Sequence, residues 1–377
     1  MLSSVAAACA PPAPPAPGPG VPAASPAALR PLPRRNGTIP DTRVNPLGVN
    51  SFLDREVEDW KKERTFQMMQ EAGIGWLKQY FPWEEIEARK GQYDWAKFDT
   101  IVDMAGRHGI KVIARLDRPP EWARRAGDPP EGPPARFEDY GDVVFALTRR
   151  YAGKVDHIQA WNEPNIYPEW GNRAVNPAEY VELLKVAYRR AKEGNPNVKV
   201  LSAPLAINTE PGGENMNELD FLDQMYKAGA RPYFDIASAN AYGLEYPPED
   251  PPDPQKLNFR RVELLRQVME RHGDAGKAVW FNEFGWNASP PDMAPEKLIW
   301  RRVTPEEQAR YTIDAYRYAT EHYPWAGVIC MWYFRQVGDI PRERSDYFFR
   351  IVNVDFSPTP LYLALKDEAK RLREVWE

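Results

Sequence analysis

The 377-residue chain has only two cysteines and four histidines, and it carries no excess of basic charge. Each scarcity excludes something. Two thiols, Cys9 and Cys330, cannot supply a disulfide framework. Cys330 lies inside GVICMWYF, which reads as a buried strand where a free thiol behaves as a small hydrophobe. His108, His272 and His322 sit near the ends of helical patterns, and His157 opens a strand. In the architecture derived below, that is the face away from a ligand, where capping of helix dipoles is sufficient work for a histidine. A Ser–His–Asp triad or a histidine-based metal site then has no histidine to use, and no Asp cluster suggests a carboxylate-only metal site. No cofactor is required. A formal net charge of −5 argues against a nucleic-acid partner. Outside the N-terminus, no segment approaches the ~18 apolar residues of a membrane span.

Acidic residues are absent from the first 40 positions, which hold 11 of the 39 prolines. Such a tract cannot bury a core and reads as an extended linker over residues 10–42. Ahead of it, residues 1–9 (MLSSVAAAC) resemble the end of a bacterial lipoprotein signal, truncated and without a basic start. The expectation is lipidation at Cys9, the sole membrane contact, and an extracellular or cell-envelope location; a plain tail is the alternative. From VNPLGVNSF onward the texture is uniform, so residues 43–377 form one domain.

Within it, β-rich runs alternate with amphipathic helical patterns. The strands are expected at 47–52, 75–80, 111–117, 157–162, 199–204, 235–242, 278–283 and 327–334, with helices such as 179–194 and 305–322 between them. Eight strand–helix units without a second composition shift point to an α/β fold, a (β/α)8 TIM barrel. A doubly wound open sheet is the runner-up, but no Gly-rich loop follows its first strand. Helix-to-strand connections such as EAGIG and RHGIK are tight, whereas strand-to-helix connections at 117–136 and 284–304 are long. In a barrel that asymmetry marks the C-terminal strand ends as the ligand face.

Two glutamates occupy that face. Glu163 follows the fourth strand in IQAWNEPN, and Glu283 ends the seventh in VWFNEFGWN. Paired strand-end carboxylates suit glycoside hydrolysis, which needs one acid/base and one nucleophile or base. Burial among Trp161, Pro164 and neighbouring aromatics would raise the pKa of Glu163, as a general acid requires. The second carboxylate needs donors, and Tyr242, ending the sixth strand, is a candidate.

These stretches resemble the fourth- and seventh-strand motifs of the retaining glycoside hydrolases of clan GH-A. YFPWEEIEARKGQYDW (80–95), ARLDRPPEWA (114–123) and VNVDFSPTPLYLALK (352–366) extend the resemblance across most of residues 45–377, closest to family 39, 42 and related barrels. The resemblance implies a retaining O-glycosyl hydrolase acting on β-linked glycans, with Glu163 as acid/base and Glu283 as nucleophile. It implies that Asn162 bonds the 2-hydroxyl of the sugar at the cleavage point, that Tyr242 holds Glu283, and that Trp332 floors the subsite. The carboxyl groups would stand roughly 5–5.5 Å apart.

Two positions depart from the pattern. Asn240 stands where a histidine is frequent, and Lys78 where an arginine is frequent; Lys78 keeps the charge without the bidentate fork. Asp117 and Arg118, ending the third strand, are candidates to bond sugar hydroxyls. Trp83, Trp122, Tyr167, Trp170, Tyr246 and Trp286 fall in ligand-face loops, as stacking platforms or as packing. Oligo- or polysaccharide is the expected partner, with endo and exo action both open. A glycan-binding or envelope polysaccharide-assembly protein and a transglycosylase on the same barrel are the alternatives.

Overall fold

The computed structural model describes residues 46–338 and 341–376. The signal-like segment, the Pro-rich linker and Cys9 lie outside the described residues. The elements run β1 Leu47–Ser51, α1 Asp59–Glu71, β2 Trp76–Pro82, α2 Trp83–Ile86, α3 Ala96–Arg107, β3 Lys111–Asp117, α4 Phe137–Arg150 and β4 His157–Ala160. They continue α5 Pro177–Gly194, β5 Lys199–Leu201, α6 Glu218–Lys227, β6 Ala237–Tyr242, α7 Val262–Arg271, β7 Val279–Gly285, α8 Pro305–His322, β8 Ala326–Met331 and α9 Pro360–Trp376. All strand pairs are parallel, in the order β5-β4-β3-β2-β1-β8-β7-β6. A single parallel bridge, Leu201 to Ile236, brings the two ends of this sheet together. The expected (β/α)8 barrel is therefore present, nearly closed, and the open-sheet alternative is set aside. No helix among the described residues is long and apolar enough to cross a membrane.

Some helices start where a side chain satisfies their free N–H groups, whereas α1, α3, α4 and α7 have no side-chain cap. Asn176 caps α5 through its side chain, with Pro177 at the first position. Thr304 and Glu307 form a reciprocal capping box at α8, again followed by proline. The helices surround the sheet with their apolar stripes inward, and α9 packs on α8 and α1, its Tyr362 hydroxyl donating to the Met68 carbonyl. Strand residues such as Leu77, Val112, Ala114, Ile158 and Phe281 face those stripes in one continuous core.

The alternate strand residues point into the barrel, and they change character with height. At the bottom, Trp76, Ile113, Leu201, Ile236, Ala278, Trp280, Val328 and Cys330 make a dry plug. The Trp76 and Trp280 rings meet edge to face at 5.1 Å, and His157 stacks on Trp280 at 4.8 Å. Burial holds His157 down, to a pKa of about 3, so it is a neutral filler. Cys330 is buried in the same layer, its thiol pushed up to about 12 by desolvation. The Trp280 indole and the Cys330 thiol fit only because a neighbouring residue lacks a side chain. A Cβ on Gly327 would lie 2.0 Å from Trp280 Nε1, and one on Gly48 would lie 2.7 Å from Cys330 Sγ.

Two residues higher, the same period places Asn50, Lys78, Arg115 and Gln159 inward, all polar. The barrel is thus plugged below and hydrophilic above, so the ligand face is the C-terminal one. The three other histidines are remote from it by their partners: His108 on Glu63 and Gln70, His272 on Asp223, and His322 against Tyr318.

Candidate active site

Strict alternation along β7 would turn Glu283 outward. Trp280 faces the plug and Phe281 the outer core, so Asn282 should face in and Glu283 out. The pairing of β7 with β8 shifts register between Phe281 and Phe284, and that of β6 with β7 shifts at Ala239/Asn240. This bulge inserts one extra residue, so Asn282 and Glu283 both point into the barrel. At β4 the re-aiming is done by dihedral angles. Trp161 has φ 77° and Glu163 φ 38°, left-handed values that side chains other than Gly, Asn and Asp rarely adopt. Such strain is tolerated where surroundings over-determine it. Here the Trp161 ring is buried against Tyr140 and Trp170, and its Nε1 donates to the Glu169 carbonyl at 3.1 Å.

The result is a cleft of about 1240 Å3 holding both glutamates. That is larger than ordinary small-molecule pockets of roughly 300–1,000 Å3, so there is room beyond a single ring. Lys78 Nζ donates to Glu283 Oε1 at 2.9 Å, and the Tyr242 hydroxyl donates to Oε2 at 2.8 Å. Both oxygens of a buried carboxylate are therefore matched by donors. Desolvation draws the Lys78 pKa down while the Glu283 charge opposes it, as in a buried ion pair. Glu163 is half-buried and opens into the cleft; Asn240 Nδ2 donates to its Oε1 at 2.6 Å. Burial, then the charge of Glu283, push its pKa up to about 7. Asn240 and Tyr242 are two apart on β6, so one strand face grips both carboxyl groups.

The expected residues separate into groups. Asn162, Glu163, Glu283, Tyr242, Lys78, Trp332 and Arg118 line the cleft. Asn240 stands behind Glu163. Asp117 and Trp286 do not line the cleft. The Asp117 carboxylate accepts from Arg115 Nε at 2.7 Å and is buried, so it serves the guanidinium instead. Trp286 turns outward onto Phe259 and Tyr311, its Nε1 donating to the Tyr246 carbonyl at 2.8 Å. Among the other loop aromatics, Trp83 and Trp170 are fully buried, Trp122 donates to the Glu87 carbonyl, and none lines the cleft.

The aromatic walls come instead from Phe52, Tyr80, Tyr242, Trp300 and Trp332. Phe52 meets Trp332 edge on at 5.6 Å, and Trp300 leans on Tyr242 at 4.6 Å. Sequence reasoning missed Phe52, Tyr80, Arg115, Glu131, Glu169 and Trp300. Tyr80 and Arg115 were within reach of it, since period two from Trp76 and Ile113 turns them inward. Glu131, Glu169 and Trp300 sit on long loops with no period to read. Around Arg115, burial works against the charge, but Asp117, Tyr80, Glu169 and Glu283 outweigh it and raise the pKa.

Comparison with known proteins gives a coherent set. The model of glycoside hydrolase family 42, described as beta-galactosidase, matches residues 54–127. The beta-galactosidase BgaH of Haloferax lucentense is 29% identical over a match covering 29% of this chain and 20% of that protein. A family 39 glycoside hydrolase from the gut symbiont Bacteroides cellulosilyticus WH2 superposes with a TM-score of 0.66 at 23% identity, covering 86% of this chain and 63% of that one. A family 39 enzyme from Xanthomonas axonopodis pv. citri gives a TM-score of 0.60 at 18% identity, covering 85% and 65%. The chain thus matches about a fifth of the length of its curated relative and somewhat under two thirds of these solved structures. The barrel with its paired strand-end glutamates is thus similar to clan GH-A glycoside hydrolases, in sequence to family 42 over residues 54–127 and in fold to the family 39 structures.

Proposed function

We propose that the protein is a retaining glycoside hydrolase that cleaves β-linked glycosides by double displacement. The observation that carries this reading is the unequal treatment of two carboxyl groups in one cleft. Glu283 has a donor on each oxygen, whereas Glu163 is desolvated, with a pKa raised to about 7. One can attack as a carboxylate while the other keeps a proton to give. In the first step Glu283 attacks the anomeric carbon, the glycosidic bond breaks, and Glu163 protonates the departing oxygen. In the second, Glu163 takes a proton from water, which displaces Glu283 from the glycosyl-enzyme. Trp332 and Phe52 offer apolar faces beneath the sugar, and Asn162 an amide for its 2-hydroxyl.

The substrate is a carbohydrate, and β-galactosides are the first to try, given the family 42 match and the curated relatives. Aryl β-galactosides, β-glucosides, β-xylosides and β-mannosides assayed with wild type, Glu163→Gln and Glu283→Gln test the reading. At least one sugar should be hydrolysed by wild type, and Glu283→Gln should lose about 10^3-fold or more in kcat/KM. Wild-type rates in both variants would overturn it. Added acceptor sugar distinguishes hydrolysis from transglycosylation by its products. The lipid anchor at Cys9 and an envelope location belong to the same proposal. A diacylglyceryl mass on the N-terminal peptide, lost in Cys9→Ala, is the expected result, and an unmodified peptide the contrary one.

A further inference from the structure

A third carboxyl group, Glu169, opens into the cleft beside the proposed pair. Its backbone is pinned: Trp161 Nε1 bonds its carbonyl, and the next residue, Trp170, is fully buried with its Nε1 on Glu179 at 3.2 Å. Its side chain ends a row of amides that crosses the barrel. Gln159 Nε2 donates to the Trp161 carbonyl at 2.8 Å, and a carbonyl accepts only, so the orientation of Gln159 is fixed. Its Oε1 therefore accepts from Asn282 Nδ2 at 2.6 Å, tying β4 to the residue before Glu283. Asn162 must then turn Oδ1 to Gln159 Nε2, at 3.3 Å, and Nδ2 toward Glu169 Oε1, at 3.5 Å. That last separation is at the outer limit of a hydrogen bond.

Charged groups face Glu169 on every side. β3 contributes Arg115 and Asp117, the loop before α4 Glu131, and the end of β4 Glu163. Glu163 in turn faces Glu283 on β7, Arg115 on β3 and Lys78 on β2, with Tyr242 on β6 nearby. Desolvation is the first cause that raises the pKa values of both Glu163 and Glu169.

We propose that Glu169 is a positioning residue that holds the Asn162 amide toward the sugar. This rests on the reading of Glu163 and Glu283 given above.

The test is kcat/KM for the intact chain, Glu169→Gln, Glu169→Asp and Glu169→Ala, on a hydrolysed aryl β-glycoside and its 2-deoxy counterpart. Glu169→Ala should lose about tenfold or more on the 2-hydroxy substrate and several-fold less on the 2-deoxy one. Glu169→Gln keeps an acceptor for Asn162 and should recover most of that loss. Equal losses on both substrates in Glu169→Ala, or a Glu169→Gln no better than Glu169→Ala, overturns the proposal. Glu169→Asp, which draws the acceptor back by one methylene, decides by the same substrate contrast if Glu169→Ala does not fold. Glu163→Gln and Glu283→Gln run alongside: if both keep wild-type activity, the catalytic reading falls, and this inference with it. If both are inactive while Glu169→Ala matches wild type, only this inference falls.

Discussion

At the scale of single residues, the chemistry turns on what surrounds each carboxyl group. Glu163, raised to about 7, is protonated in the folded protein across a range where the unfolded chain has released the proton. A raised carboxyl pKa means the folded state binds more protons than the unfolded one between about 4.5 and 7. Its contribution to stability therefore declines as pH rises through that window. Glu163→Gln should accordingly unfold at higher denaturant than wild type at pH 8, with the difference shrinking by pH 5. If Glu163 is the acid/base as proposed, kcat/KM should fall from about pH 7 upward, and Glu163→Gln should lose that limb. Lys78 gives a third expectation. Removing it leaves the buried Glu283 carboxylate with the Tyr242 hydroxyl and the more distant Arg115 guanidinium at 3.9 Å, at a cost of about 3 kcal/mol or more. Lys78→Met should lose on the order of 10^2-fold in kcat/KM, and Lys78→Arg should recover part of it, since the charge returns.

At the scale of elements, the readable and unreadable parts of the site divide along physical lines. The Asn162-Glu163 pair was legible because a strand pattern ends at a proline. Lys78 and Tyr242 were legible because they belong to strands whose period is clear. The orientation of Glu283 was not readable by alternation, because the bulge at Phe281 to Phe284 reverses the face. Position at the strand end gave the right face of the barrel; the bulge gave the right face of the strand. Asp117 also ends a strand, but Arg115 two residues earlier captures its carboxylate. Trp286 follows Gly285, which takes φ 154°, and the indole is directed outward onto Gly243, where a Cβ would lie 2.0 Å from the ring. Pairings of this kind join distant segments and leave no local signal. The plug offers a test of element packing. Gly327→Ala should push the new methyl into the Trp280 ring and cost about 1–3 kcal/mol in denaturant unfolding. An unchanged midpoint would show that the plug yields.

At the scale of the whole molecule, the barrel separates two tasks along one axis. The Trp76–Trp280 layer closes the N-terminal end with packed side chains. The polar layers above it hold two carboxyl groups in fixed, unequal surroundings. The fold and its polarity follow from repeated strand–helix units and from the asymmetry of loop lengths. The shape of the cleft depends on loops such as 117–136 and 284–304, whose conformation is set by contacts rather than by period. Double displacement requires a covalent bond between Glu283 and the sugar. The most direct measurement is the mass of the intact protein, then of its peptides, after incubation with a 2-deoxy-2-fluoro-β-glycoside of a sugar it hydrolyses. One added fluoroglycosyl group is expected, carried by the peptide containing Glu283 and absent in Glu283→Gln. An adduct on a different residue, or turnover of the good substrate with no adduct at any concentration of the fluoro sugar, would contradict that expectation.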